Sequence, residues 1–95
     1  MLRTVRLAAP PQLGSSVTAS FRQALAALPP QVQARAKKQY QLWSTDHWHP
    51  SLHFKRVGPY WSARVDKGYR ALGLEKEGRI YWFWIGPHDE YEDRI

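Results

Sequence analysis

Apolar residues recur with a helical period in the first half of the chain and with strand-like alternation in the second. Phe21, Ala24, Leu25 and Leu28 stand at i, i+3, i+4 and i+7, which is one face of a helix. Ser20-Phe21-Arg22-Gln23 fits a capping box at its start. Pro29 and Pro30 end it, and Pro30 suits the first position of a second helix. There Val32, Ala36, Tyr40 and Trp43 form the expected buried stripe. Arg35 and Lys37 flank the stripe, and Lys38 points away from it. Two antiparallel helices joined at Pro29-Pro30 follow from this pattern. Residues 8–15 read as irregular chain, interrupted by two prolines and a glycine. The first strand falls at either Met1–Leu7 or Ser16–Ala19, and the second placement is preferred.

After the loop His47–Ser51 the period changes to two. Strand-like runs cover Leu52–Val57, Tyr60–Val65, Tyr69–Glu75 and Arg79–Ile85, and the turn signals between them indicate an antiparallel meander. Ile80–Ile85 is apolar on both faces, with Trp82 and Trp84 sharing one face and Tyr81, Phe83 and Ile85 the other. His88–Ile95 is an acidic tail of about one helical turn. The expected fold is α+β: two helices on a mainly antiparallel sheet of four or five strands, in the order β-α-α-β-β-β-β.

Ninety-five residues make one domain. Residues 1–15 read as an extension and 16–95 as the domain. With no cysteine in the chain, disulfide scaffolds, thiolate zinc sites and cysteine nucleophiles are excluded. The start lacks a secretory h-region and no long apolar run exists, so a cytoplasmic protein with no membrane partner is expected. Charge adds more. The net charge is +6, and residues 1–45 carry basic side chains but no acid, whereas the tail from Asp89 is acidic. Such a surface favours an anionic partner.

The chemistry concentrates on one hairpin. A two-residue Lys67-Gly68 turn would pair Val65 with Arg70 and put the arginines on opposite faces. A loop Asp66-Lys67-Gly68, with Gly68 as the left-handed residue of a bulge, instead sets Val65 opposite Tyr69 and Arg64 beside Arg70, and it is preferred because it keeps Tyr69 with the apolar set. Two adjacent cations repel unless an anion comes between them. A salt bridge to Asp66 or Glu75 is the competing expectation. His47-x-His49-x-x-x-His53 lies in a proline-containing loop with little else to ligate a metal, so no metal or cofactor is expected. His88, just past the last strand, is placed to act as an acid or base.

Tyr60-Trp61-Ser62-Ala63-Arg64-Val65 and Gly68-Tyr69-Arg70-Ala71-Leu72-Gly73, in this order of elements, resemble the RelE/ParE toxin superfamily. Leu28-Pro29, His49-Pro50-Ser51-Leu52 and Trp82-Phe83-Trp84-Ile85-Gly86-Pro87-His88-Asp89-Glu90-Tyr91 add to the likeness. The resemblance implies a toxin neutralised by a cognate antitoxin. Many members cleave mRNA at the ribosome without metal, whereas ParE-type members inhibit DNA gyrase. A metal-free mRNA endoribonuclease is the implied activity; a gyrase inhibitor or an inactive nucleic-acid-binding homologue is the alternative. By the same resemblance Arg70 and Arg64 stabilise the scissile phosphate and His88 serves as acid. Tyr91 matches a C-terminal aromatic of the family, and with Lys55, Arg56 and Lys67 it is expected to bind substrate. The paired lysines of RelE-type members fall near Tyr60 and Ser62, and the glutamate base of YoeB-type members near Pro50 or Ser51. None is present, so the base is unassigned, with His49 and His53 the nearby candidates.

Overall fold

The computed structural model describes residues 13–95. The Met1–Leu7 alternative for the first strand lies outside them. A five-stranded sheet in the order β1-β5-β4-β3-β2 carries two helices on one face and a short third helix on the other. Its strands are β1 (Gly14–Val17), β2 (Lys55–Val57), β3 (Tyr60–Asp66), β4 (Tyr69–Lys76) and β5 (Arg79–Pro87). Only β1, paired with β5, is parallel to its neighbour. The expected α+β meander is therefore present, with β1 closing one edge.

The helices are α1 (Ala19–Ala26), α2 (Pro30–Thr45) and α3 (His88–Arg94). Phe21, Ala24, Leu25 and Leu28 pack on the core, and Pro30 opens α2. The start of α1 differs from expectation. Gly14 and Ser15 belong to β1, and Thr18 is the N-cap, accepting from the Phe21 amide at 3.2 Å. Ser20 does not cap, because its hydroxyl donates to the Phe83 carbonyl at 2.9 Å. Thr18 likewise donates its hydroxyl to the Trp82 carbonyl at 3.1 Å, so the first turn of α1 is sewn to β5.

The buried stripe of α2 is Val32, Ala36, Gln39 and Trp43. Tyr40 is instead 37% exposed and shares a hydrogen bond with the Ser15 hydroxyl of β1. Gln39 takes the inner place because it has an acceptor to satisfy: its Nε2 donates to the Arg64 carbonyl at 3.2 Å, beside an irregularity in β3. The loop after α2 forms a 3₁₀ turn, Pro50–Leu52, that plugs Leu52 into the core. His53 then adopts φ 44°, which breaks the extended run and delays β2 to Lys55.

The largest departure lies in β5. Trp82 and Trp84 do not share a face. Leu72 pairs with Trp84 and Gly73 with Trp82, so Phe83 is an extra residue in the ladder. Ile80, Trp82 and Ile85 join the core under α1 and α2, together with Trp43, Phe54, Ala63, Val65 and Ala71. Trp84 goes to the outer face with Leu72, Tyr91, Tyr60 and Phe83. The tail accordingly forms two helical turns, because burying Tyr91 against this outer cluster gives it something to fold on. Asp89 and Glu90 in the first turn of α3 and Arg94 in the last match the helix dipole.

Gly86 makes room for the outer indole. A Cβ there would lie 2.4 Å from Trp84 Cζ2, well inside contact distance. Gly86→Ala should therefore destabilise the fold by about 1–3 kcal/mol in urea titrations. Gly68→Ala, where a Cβ meets nothing within 4 Å, should stay within about 0.5–1 kcal/mol of the parent.

Candidate functional site

Arg64 on β3 and Arg70 on β4 are direct cross-strand partners on the outer face. Opposite residues in such a ladder hold their Cβ atoms about 4.5–5.5 Å apart. The register arises from a bulge at Val65, which leaves Asp66 facing Tyr69 across the Lys67-Gly68 turn. Gly68 does not supply a left-handed residue; the positive-φ glycines are Gly58 and Gly78. The bulge keeps Val65 and Tyr69 on the helix side and the arginines on the other.

Both arginines lack a carboxylate among the described residues. Asp66 Oδ1 accepts from the Lys67 amide at 2.8 Å, and Glu75 Oε1 accepts from Trp61 Nε1 at 3.0 Å. Arg70 Nη1 donates to the carbonyls of Tyr69 and Asp66 at 3.2 and 3.4 Å, which steadies the guanidinium without neutralising it. Gln39 anchors the Arg64 backbone from the other side of the sheet.

α3 borders this pair. Pro87 faces Tyr69 and Gly86 faces Arg70, so His88 follows directly beside the β3–β4 turn, where its amide donates to the Gly68 carbonyl at 2.8 Å. The His88 side chain is 39% exposed, its Nε2 lies 3.9 Å from Glu92, and its ring centroid is 5.5 Å from that of Tyr91. Tyr91 itself is buried in the outer cluster. Two groups not anticipated from sequence join it: Trp84, lying across Gly86, and Arg94, whose guanidinium sits 4.7 Å from the Trp84 ring centre. Arg64, Arg70, His88, Tyr91, Trp84 and Arg94 thus occupy one side of the sheet.

A sequence model of the ParE-like toxin domain matches residues 30–93. The chain belongs to that family. No curated protein matches its sequence. The fold is similar to chains from the RelB–RelE antitoxin–toxin complex of Methanococcus jannaschii (TM-score 0.66, 14% identity, 83% of this chain and 96% of that one). It is also similar to the toxin–antitoxin complex RelBE2 of Mycobacterium tuberculosis (0.61, 18%, 80% and 98%) and to YafQ of E. coli (0.55, 11%, 84% and 98%).

Within this toxin domain the remaining candidates divide. Lys55 pairs with Ser62 and therefore shares the face of Arg64 and Arg70. Arg56 pairs with Trp61 and lies on the opposite face, its guanidinium 5.4 Å from that ring centre. Lys67 is exposed in the turn between β3 and β4. His47 is buried and structural. Its Nε2 accepts from the Leu13 amide at 2.9 Å, so Nδ1 carries the proton and donates to the Trp43 carbonyl. His49 Nδ1 is engaged by Ser51, and His53 is exposed. No group of three His, Asp or Glu able to hold a metal occurs among the described residues. No helix among them is long and apolar enough to cross a membrane.

Placing two unpaired cations opposite each other costs stability. Arg64→Gln should therefore stabilise the free toxin domain by about 0.2–1 kcal/mol, an effect that shrinks as salt is raised. Urea unfolding at low and high ionic strength reads this directly.

Proposed function

We propose that this toxin domain cleaves RNA without a metal and is held inactive by a cognate antitoxin. What supports the reading is the Arg64–Arg70 pair: two cations side by side on an accessible sheet face, neither neutralised by a carboxylate among the described residues. Attack of a 2′-hydroxyl on the adjacent phosphate adds negative charge to the phosphoryl oxygens. Guanidinium groups already fixed in place stabilise that charge in the transition state without reorganising. His88, protonated, donates to the departing 5′-oxygen. Lys55 extends positive charge along the same face, while the buried Tyr91 and Trp84 hold α3, and with it His88, beside it. The proton of the 2′-hydroxyl passes to a base outside this cluster. mRNA on the ribosome is the proposed substrate.

The second reading is non-catalytic inhibition of DNA gyrase. It is favoured by the matched family model being ParE-like and by the lack of a lysine pair or carboxylate base at the corresponding positions. In that case the arginine face serves contact alone.

Arg70→Ala separates the two. Loss of one transition-state electrostatic contact reduces the rate on the order of 100-fold, about 3 kcal/mol, while ribosome binding stays nearly intact. His88→Ala should reduce it about 10²–10⁴-fold. If both variants stay as toxic as the parent with mRNA uncut, the gyrase reading replaces the nuclease.

The antitoxin segment should be rich in acidic and apolar residues, to suit the exposed Arg35, Lys37 and Lys38 on α2 and the apolar edge of the helices. Raising salt should slow its association far more than it speeds dissociation, as stopped-flow mixing would show. An association rate indifferent to salt would remove the electrostatic account.

A further inference from the structure

Around the edge strand β2 lies an aromatic group that the arginine face does not use. Trp48, in the loop after α2, is 54% exposed, the most of any large apolar side chain among the described residues. Its ring is nevertheless held: it lies 5.0 Å from Phe54 and 6.0 Å from Trp61, and Phe54 stacks on Trp61 at 4.5 Å. Asp46 fixes the loop by accepting from the Trp48 amide at 3.2 Å. An indole supported from behind and open to solvent loses little entropy when a flat group stacks on it. Arg56, over Trp61, supplies a cation at the same place. The two nearby acids, Asp46 and Glu75, are each engaged in a hydrogen bond.

The patch continues the cationic row of the outer face. Arg70, Arg64 and Lys55 sit on the adjacent strands β4, β3 and β2, with Lys55 diagonal to Arg64 through its partner Ser62. Diagonal neighbours in a ladder are about 7–8 Å apart. From Lys55 the next residue, Arg56, turns to the other side of the edge strand, toward Trp61 and Trp48. A backbone of regularly spaced phosphates fits such a row, and a base at its end meets an open π-face. A nucleotide brings a phosphate and a flat base together at every step, which a merely acidic peptide does not.

We infer that Trp48, buttressed by Phe54 and Trp61 and flanked by Arg56, is a base-stacking platform for single-stranded RNA whose phosphates lie on the Arg70–Arg64–Lys55 row. This rests on reading the arginine face as an RNA contact, and the two are tested separately.

The probe is a labelled ten-nucleotide single-stranded RNA, 2′-O-methylated so that it cannot be cleaved, titrated with the full chain by fluorescence anisotropy. Trp48→Ala should weaken binding roughly 5- to 150-fold, the range for one stacked base, and Trp48→Phe should restore most of it. An oligonucleotide with an abasic spacer at the stacked position should bind parent and Trp48→Ala alike. Circular dichroism confirms that the variants fold. If Trp48→Ala binds as the parent does while Arg64→Ala/Arg70→Ala loses affinity, the platform is wrong and the arginine face stands. If Trp48→Ala alone weakens binding, the phosphates do not lie on the arginine row, and both the arginine reading and the proposal built on it are overturned. Self-association of the parent that disappears in Trp48→Ala, with RNA affinity unchanged, would assign the patch to a second copy of the chain and overturn the proposal.

Discussion

One extra residue in β5 governs the rest of the molecule. A strand of strict period two would send both Trp82 and Trp84 toward the helices beside Ile80 and turn Ile85 away from them. The bulge at Phe83 divides them, giving each side of the sheet its own apolar cluster. Its carbonyl and that of Trp82 are then bound by Ser20 and Thr18, so the entry of α1 is fixed by the same irregularity. Glycine is what permits it. At Gly73 a Cβ would lie 2.6 Å from Ile80, and at Gly86 it would meet Trp84. The outer cluster in turn gives α3 a surface to dock on and carries His88 to the β3–β4 turn.

A second bulge, at Val65, does the corresponding work for the arginines. It keeps Val65 and Tyr69 in the core while setting Arg64 and Arg70 opposite each other. Repulsion between them is tolerated because both residues keep part of their surface in water and Arg70 rests on two carbonyl oxygens. Such an arrangement is weakly unfavourable in the free protein and becomes favourable when an anion arrives. Stability and function pull in opposite directions at this pair.

Much of this was legible in the sequence. Helical spacing located α1 and α2, the turn signals separated the strands of the meander, and keeping Tyr69 with the apolar set selected the register that pairs Arg64 with Arg70. The rest failed for definite reasons. Periodicity cannot register an inserted residue, so it groups Trp84 with Trp82 and misses the outer cluster and Arg94. Gly73 and Gly86, flanking so many aromatics, were the available signal. The capping motif at Ser20 was misleading because a tertiary acceptor outcompeted the local one. Gln39 leaves no mark in the apolar pattern because its partner, the Arg64 carbonyl, belongs to another element.

The pairing of β1 with β5 bears on how the protein is made. Ser15 and Arg79 are 64 residues apart and joined by a hydrogen bond, so the first strand finds its partner only after that much more chain has been made. At about 5–20 residues per second, β1 waits roughly 3–13 s on the translating ribosome. His88, Tyr91 and Arg94 emerge later still. A nascent or truncated chain therefore holds neither a closed sheet nor a finished face. The sheet and the arginine-lined face are thus completed together, once β5 and α3 have been made.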